Sequence, residues 1–334
     1  MRQFLRRLAV FLVFFLLGPV MAQAQAVDGP SREILAAVVR LEAEAPADAR
    51  SARTLGPKRS GNGVVIDQSG LILTIGYLII EAMSVTVMDA EGRPVPAEVV
   101  GYDNDTGFGL VRATKPLGIK PLPFGESSRV AEGDPVLVVG HGGADGTVGG
   151  YVVSKREFAG YWEYLLDQAI FVSPPHGNWG GTALVSQDGR LVGIGSLLVQ
   201  DAIRGSVPMP GNMFVPIDLL KPIFAELLAD GRPGGPYKPW MGLLSTDHPG
   251  LIVVTRVTPD GPAAKAGIQP GDVIVAVGTE QVTKIADFYR KVWGVGPAGS
   301  DIPLTVMRPS AGKAYAITIP SGNRYEFMQF KRTF

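Results

Sequence analysis

Apolar residues in this chain fall in short runs, each closed by a turn that carries glycine. The runs are Val64–Ile66, Leu71–Thr74, Val85–Val87, Val99–Val100, Leu110–Val111, Val136–Val139, Tyr151–Ser154, Ile170–Val172, Leu191–Ile194 and Met213–Val215. Regular strand–turn spacing of this kind predicts a mainly β barrel or sandwich. Helical spacing interrupts it twice. Ile217, Leu220, Phe224, Leu227 and Leu228 predict a helix over Pro216–Asp230, and Ile285, Phe288, Tyr289 and Val292 predict a second. At the front, Ile34, Leu35, Val38, Val39 and Leu41 fit a helix or a strand, and Ala45–Lys58 reads as a polar, alanine-rich loop. The segment 231–239, rich in glycine and proline, predicts a linker between two domains. Beyond it, Leu251–Val257, Ile302–Met307 and Tyr315–Ile319 read as strands. The tail 321–334 carries Tyr325, Phe327, Phe330 and Phe334 and receives no element. No internal repeat is visible.

The extreme N-terminus follows a different pattern. Arg2, Arg6 and Arg7 precede an apolar core, Leu8–Leu17, which Gly18-Pro19 ends. Ala22-Gln23-Ala24 and Ala24-Gln25-Ala26 then offer small-x-small cleavage sites. Residues 1–26 therefore read as a cleaved signal peptide, because the core is short for a span of about 20 residues. An uncleaved anchor is the alternative. No later stretch is apolar enough to span a bilayer, so the mature chain is expected to be exported, and periplasmic in a two-membraned bacterium.

The 334 residues carry 31 basic and 31 acidic side chains, a formal net charge of zero that argues against nucleic acid as the main partner. With no cysteine, thiol catalysis, disulfides and thiolate metal sites are excluded. Only three histidines are present, His141, His176 and His248.

Three segments concentrate the candidate chemistry. The first is the turn His176-Gly177-Asn178-Trp179-Gly180-Gly181, set between the apolar runs Ala169–Val172 and Leu184–Val185. The second is Gly61–Asp67 with Gly70–Ile79, and the third is Gly101–Val111. Together they resemble the HtrA/Deg family of trypsin-like serine proteases over roughly residues 31–320. The resemblance implies a chymotrypsin-like double β-barrel over 27–230. In that family the three segments carry the nucleophilic serine, the base histidine and the orienting aspartate. In this chain Trp179, Tyr77 and Gly107 stand at those positions. An indole has no nucleophilic oxygen, and a phenol of ordinary pKa near 10 is a poor base at neutral pH. Asp103 and Asp105 flank the aspartate position with no imidazole to orient. The resemblance therefore implies a pseudoprotease, whose Gly177 and Trp179 amides remain as a vestigial oxyanion cradle. Trp179 either plugs the unused cleft or shapes a new binding site. An active endopeptidase with a displaced catalytic set, for instance with Asp105 as the acid, is the runner-up.

The second domain resembles a PDZ domain of the bacterial protease type over 240–320, an α+β fold. The resemblance rests on Trp240-Met241-Gly242-Leu243 and on the run Pro262–Ile274, which joins a short helix, a glycine exit and a tight turn. It implies that the amides of Met241, Gly242 and Leu243 take a terminal carboxylate, with Leu243, Leu244, Phe288 and Val292 lining the groove. The alternative is that these apolar residues only form a core. No cofactor and no metal site are expected. A metal- or ligand-binding scaffold built from His141, His176 and Asp145 is a third reading, weak because ligand spacing is lacking. The partners expected are protein or peptide C-termini, recognised as regulator, adaptor or holdase. A homo-oligomer follows from the family's trimers.

Overall fold

The computed structural model describes residues 29–205 and 207–328. The predicted signal peptide 1–26, and Phe330 and Phe334 of the tail, lie outside the described residues. The described residues begin with helix α1 (Gly29–Ala36) and turn at Ala37 into strand β1 (Val38–Glu44), so the ambiguous front segment is both elements in succession. The loop that follows is not wholly irregular: it holds a one-turn helix, α2 (Ala52–Leu55), and Lys58 already belongs to β2 (Lys58–Val65). The strands β3 (Leu71–Ile75), β4 (Ser84–Met88), β5 (Pro94–Tyr102) and β6 (Phe108–Ala113) complete a closed barrel in the order β1-β2-β3-β6-β5-β4.

A second closed barrel repeats that plan. It is built from β7 (Pro135–Val139), β8 (Thr147–Gly160), β9 (Tyr164–Ser173), β10 (Ala183–Val185), β11 (Leu191–Val199) and β12 (Gly211–Pro216), in the order β10-β11-β12-β9-β8-β7. Closure leaves no free sheet edge. One apolar cluster runs through both barrels, from Leu41, Ile72, Leu73 and Phe108 in the first to Phe171, Ile194 and Val215 in the second. Burying each such side chain is worth about 1.5–3 kcal/mol, so the two barrels are one packed body rather than two tethered ones. The predicted helix over 216–230 is shorter than expected. A 3-10 turn occupies Ile217–Leu219, and helix α3 spans Phe224–Asp230. Pro222 lacks the N–H that a continuous helix would need.

After the segment 231–239, the third unit is a sheet of β13 (Leu243–His248), β14 (Leu251–Val257), β15 (Val273–Val277), β17 (Asp301–Arg308) and β18 (Lys313–Pro320) in that spatial order, with the short β16 (Glu280–Gln281) paired to β15. Helix α4 (Pro262–Lys265) and helix α5 (Ile285–Val295) pack on it. β13 is an edge strand, and the space between it and α5 is the groove where strand addition occurs in this architecture. The overall fold is mainly β, a double barrel followed by an α+β domain.

The aromatic tail is not unstructured at its start. It forms helix α6 (Arg324–Phe327), capped by Asn323, whose side chain accepts the Tyr325 N–H. Tyr325 is buried, donates its hydroxyl to Asp103 Oδ1 at 2.9 Å, and accepts the Asn104 N–H. The Phe327 and Trp240 ring centroids lie 4.5 Å apart, and the Arg50 guanidinium sits over the Phe327 ring. The tail thus ties the third unit back onto the first barrel.

Candidate functional site

The cleft between the barrels is shaped by β2, β3 and the turn 176–181. Tyr77 sits in the 3-10 turn Gly76–Leu78 that follows β3, and donates its hydroxyl to the Ser196 carbonyl at 2.9 Å. Burial pushes this phenol well above its ordinary range, opposed by a side-chain hydrogen bond with Trp179. The position that resembles the base therefore lies beside the turn that carries Trp179, with its hydroxyl committed to the Ser196 carbonyl. A Cβ on Gly180 would stand 2.7 Å from the Tyr77 hydroxyl, so the tyrosine also fills the space above the turn.

Gly107 closes the turn after Asp103 with φ +86°, and its carbonyl accepts the Gly76 N–H at 2.7 Å, one residue from Tyr77. The third position is therefore beside the other two. A side chain there meets a left-handed backbone and, at 3.3 Å, the Tyr164 hydroxyl. Asp103 is engaged elsewhere. It accepts the N–H groups of Asp105 and Thr106, the Thr106 hydroxyl and the Tyr325 hydroxyl. Asp105 faces Lys238 rather than the cleft.

Asn62 is the residue of the cleft that sequence reasoning passed over. Its side chain is wholly buried. Nδ2 donates to the carbonyls of Asn178 (2.9 Å) and Gly180 (3.0 Å), and Oδ1 accepts the His141 N–H (2.8 Å) and its Nδ1–H (2.7 Å). One amide thus fastens two loops of the second barrel to β2 of the first. Gly181, at φ +76°, lies so close that a Cβ would fall 1.9 Å from the Asn62 carbonyl. Within the turn, among the described residues, no protein acceptor takes the N–H of Gly177 or Trp179. Those two amides are the donors of the expected cradle.

His141 and His176 do approach this turn. His176 donates Nε2–H to the Gly146 carbonyl at 3.1 Å and accepts the Asn178 N–H at Nδ1. Neither ring hydrogen-bonds a serine or threonine hydroxyl among the described residues, and no group of three metal-ligating side chains occurs there. Asp145 does not join the two rings. Burial, with further contributions from Arg40 and His176 against Glu42, lowers the His141 pKa. The fold favours neutral His141, so the linked stability is complete above the unfolded value near 6.5 and declines as pH falls below it. We expect His141→Gln, which keeps a donor toward Asn62, to flatten the loss of urea stability between pH 7 and 5. An unchanged slope in the variant would assign that loss to other groups.

The carboxylate loop of the third unit has an occupant. Met241 N–H donates to Glu163 Oε2 at 2.9 Å, and the N–H groups of Gly242 and Leu243 both donate to Oε1 at 2.7 Å. Gly242, at φ +81°, lets the three N–H groups converge. The predicted groove residues are therefore together, but the groove is filled by the tip of the β8–β9 hairpin. Leu243, Phe288 and Val292 are buried, Leu244 is half-buried, and Ala159 and Leu165 of the hairpin pack against the same cluster.

Residues 61–194 match the trypsin-like peptidase domain, and residues 253–308 match the PDZ domain. The serine endoprotease DegS of Salmonella typhimurium is 32% identical over 281 residues, covering 78% of this chain and 76% of that protein. The chain belongs to the HtrA/Deg family of trypsin-like serine proteases. A probable periplasmic serine endoprotease, DegP-like, of Brucella suis is 30% identical over 282 residues, 79% of this chain but only 53% of that protein, so the chain spans about half its length. Among solved structures, a serine endoprotease from Yersinia pestis superposes with a TM-score of 0.51 at 26% identity, over 88% of this chain and 96% of that one. The family assignment matches the double barrel and the sheet of the third unit. It leaves the chemistry to the residues of this chain.

Proposed function

We propose that this HtrA/Deg-family chain is an exported pseudoprotease that holds peptide or protein segments without cleaving them, as regulator, adaptor or holdase in envelope protein quality control. The observation that carries the reading is the Tyr77 hydroxyl, donated to the Ser196 carbonyl and filling the space over Gly180, one residue from the Gly76 N–H that the left-handed Gly107 accepts. Serine-type cleavage needs a nucleophilic hydroxyl, an imidazole within about 3 Å and a carboxylate orienting that imidazole. Positions 179, 77 and 107 supply none of the three, and both nearby histidines are engaged with loop backbone or Asn62. The name of the probable periplasmic DegP-like relative supports a periplasmic location. No helix among the described residues is long and apolar enough to cross a membrane.

The unsatisfied amides of Gly177 and Trp179 suit a peptide carbonyl, which is a retained binding capacity rather than a hydrolytic one. Recognition of apolar C-termini falls to the PDZ groove, whose loop already gathers three N–H groups around a carboxylate. The expected result is that the mature protein cleaves unfolded casein no faster than a Trp179→Ala variant and takes up no fluorophosphonate. Labelling of one serine, abolished by mutating that serine, would favour an endopeptidase with a displaced catalytic set.

A further inference from the structure

The tip of the β8–β9 hairpin is built like the end of a bound peptide. Its three-residue loop, Tyr161-Trp162-Glu163, is closed by the Gly160–Tyr164 pair. Glu163 adopts φ +56°, a left-handed conformation that β-hairpin loops of this length require but that glycine or asparagine would normally supply. A glutamate at so strained a position points to a role for its side chain. That side chain is buried, and its carboxylate accepts all three N–H groups of the carboxylate loop.

The neighbouring contacts continue the likeness. Ser245 on the edge strand β13 donates its N–H to the Tyr161 carbonyl at 2.9 Å, the first rung of a strand addition. From the other wall of the groove, Tyr289 on α5 donates its hydroxyl to the Gly160 carbonyl and accepts the Glu163 N–H. Arg290, one residue further, pairs with Glu157 and Asp167 on the two hairpin strands. Carboxylate, backbone rung and apolar side chains are thus all supplied by the barrel of the same chain.

We propose that Glu163 is the resident ligand of the PDZ domain, an internal mimic of a C-terminal carboxylate that must leave before any external chain end can bind. The proposal rests on the reading of the PDZ groove as a C-terminus receptor and adds its gate. Three N–H groups already satisfied by a buried carboxylate offer nothing to a second one, so the two ligands exclude each other by occupancy. Release would also free the β8–β9 hairpin, whose strand β9 pairs with β12 beside the turn 176–181. Occupation of the PDZ groove is thereby connected through one continuous strand pair to the barrel that holds Trp179.

The test uses the full mature chain as wild type, Glu163→Ala and Glu163→Gln, with Arg290→Ala as a variant that loosens the hairpin from outside the buried contact. Hydrogen exchange at the amides of Met241, Gly242 and Leu243 reads the occupancy directly. Exchange should be at least about tenfold faster in Glu163→Ala, intermediate in Glu163→Gln and raised in Arg290→Ala, with the protection of β3 and β12 unchanged. Equal protection of the loop in wild type and Glu163→Ala would overturn the proposal. A fluorescein-labelled decapeptide ending in a free valine carboxylate should bind Glu163→Ala at least about tenfold more tightly than wild type, and its amidated twin should show no such gain. Equal affinity of the free-acid peptide for both proteins would likewise overturn it. Faster loop exchange with no binding of either peptide would support the resident ligand and sink the C-terminus reading instead.

Discussion

Placing a serine at 179 alone is expected to give a protein that cleaves no casein. Trp179→Ser should fold, leave casein intact and resist fluorophosphonate, because Tyr77 cannot accept the serine proton at neutral pH and the members of a triad act as a unit. The fuller repair, Tyr77→His with Gly107→Asp and Trp179→Ser, is expected to fail earlier, in stability. Gly107 has φ +86°, where a side chain costs about 1–2 kcal/mol of backbone strain. The new Cβ would also stand 3.3 Å from the hydroxyl of Tyr164, a buried ring stacked on Trp162. A third carboxylate would join Asp103 and Asp105 in the same turn. We expect Gly107→Asp by itself to lower the unfolding free energy by about 2–4 kcal/mol, read as a shift of the urea midpoint. Casein cleavage by Trp179→Ser above that of wild type would show that another residue serves as base.

Asn62 is expected to be the most costly single residue to remove from the cleft. Asn62→Ala deletes two donated and two accepted hydrogen bonds made by a wholly buried side chain, leaving the Asn178 carbonyl and the His141 N–H without their partner, while the Gly180 carbonyl keeps only the Asn62 N–H. Each buried polar group so orphaned costs about 1–3 kcal/mol, and a loss of about 3–5 kcal/mol in total follows after partial relaxation. Asn62→Asp keeps the shape but aims a carboxylate oxygen at two carbonyls, so it should be at least as destabilising. Both variants should also release the amides of 177–181 to exchange. A urea midpoint for Asn62→Ala within about 1 kcal/mol of wild type would mean that the two barrels hold the turn without it.

The glutamate at 163 changes what the PDZ domain is in this molecule. An empty groove would make the chain a constitutive receptor for apolar chain ends. With Glu163 in place the same groove is an interdomain lock, and binding becomes a competition between an internal carboxylate and an external one. The tail contributes a second fastening, since Tyr325 reaches Asp103 in the first barrel while Phe327 covers Trp240 at the start of the PDZ unit.

Much of the architecture was written locally in the chain. Strands such as Leu71–Ile75 and Leu191–Val199 announce themselves by short apolar runs between glycine turns, and α5 by its 3.6-residue spacing, because both periods express burial of one face. The residues at 77, 107 and 179 stand out in segments that resemble the family pattern, which is what the reading of a pseudoprotease rests on. What the sequence left out depends on contacts between distant residues. Glu163 sits 78 residues before the first amide that it accepts, and Tyr325 sits 222 residues after the carboxylate that it meets. Neither spacing leaves a local signature: a glutamate in a short hairpin loop and a tyrosine in an aromatic tail read as solvated residues until the fold closes over them. Asn62 was visible in its motif, but its role was not, because a buried amide is identified by the four groups around it. The sequence by itself determined the double barrel, the PDZ unit and the tyrosine, glycine and tryptophan at 77, 107 and 179. The tertiary structure alone decided that the Tyr77 hydroxyl binds the Ser196 carbonyl over the turn 176–181 and that the PDZ groove is filled from within, since a hydrogen bond is set by position in space and not by order along the chain.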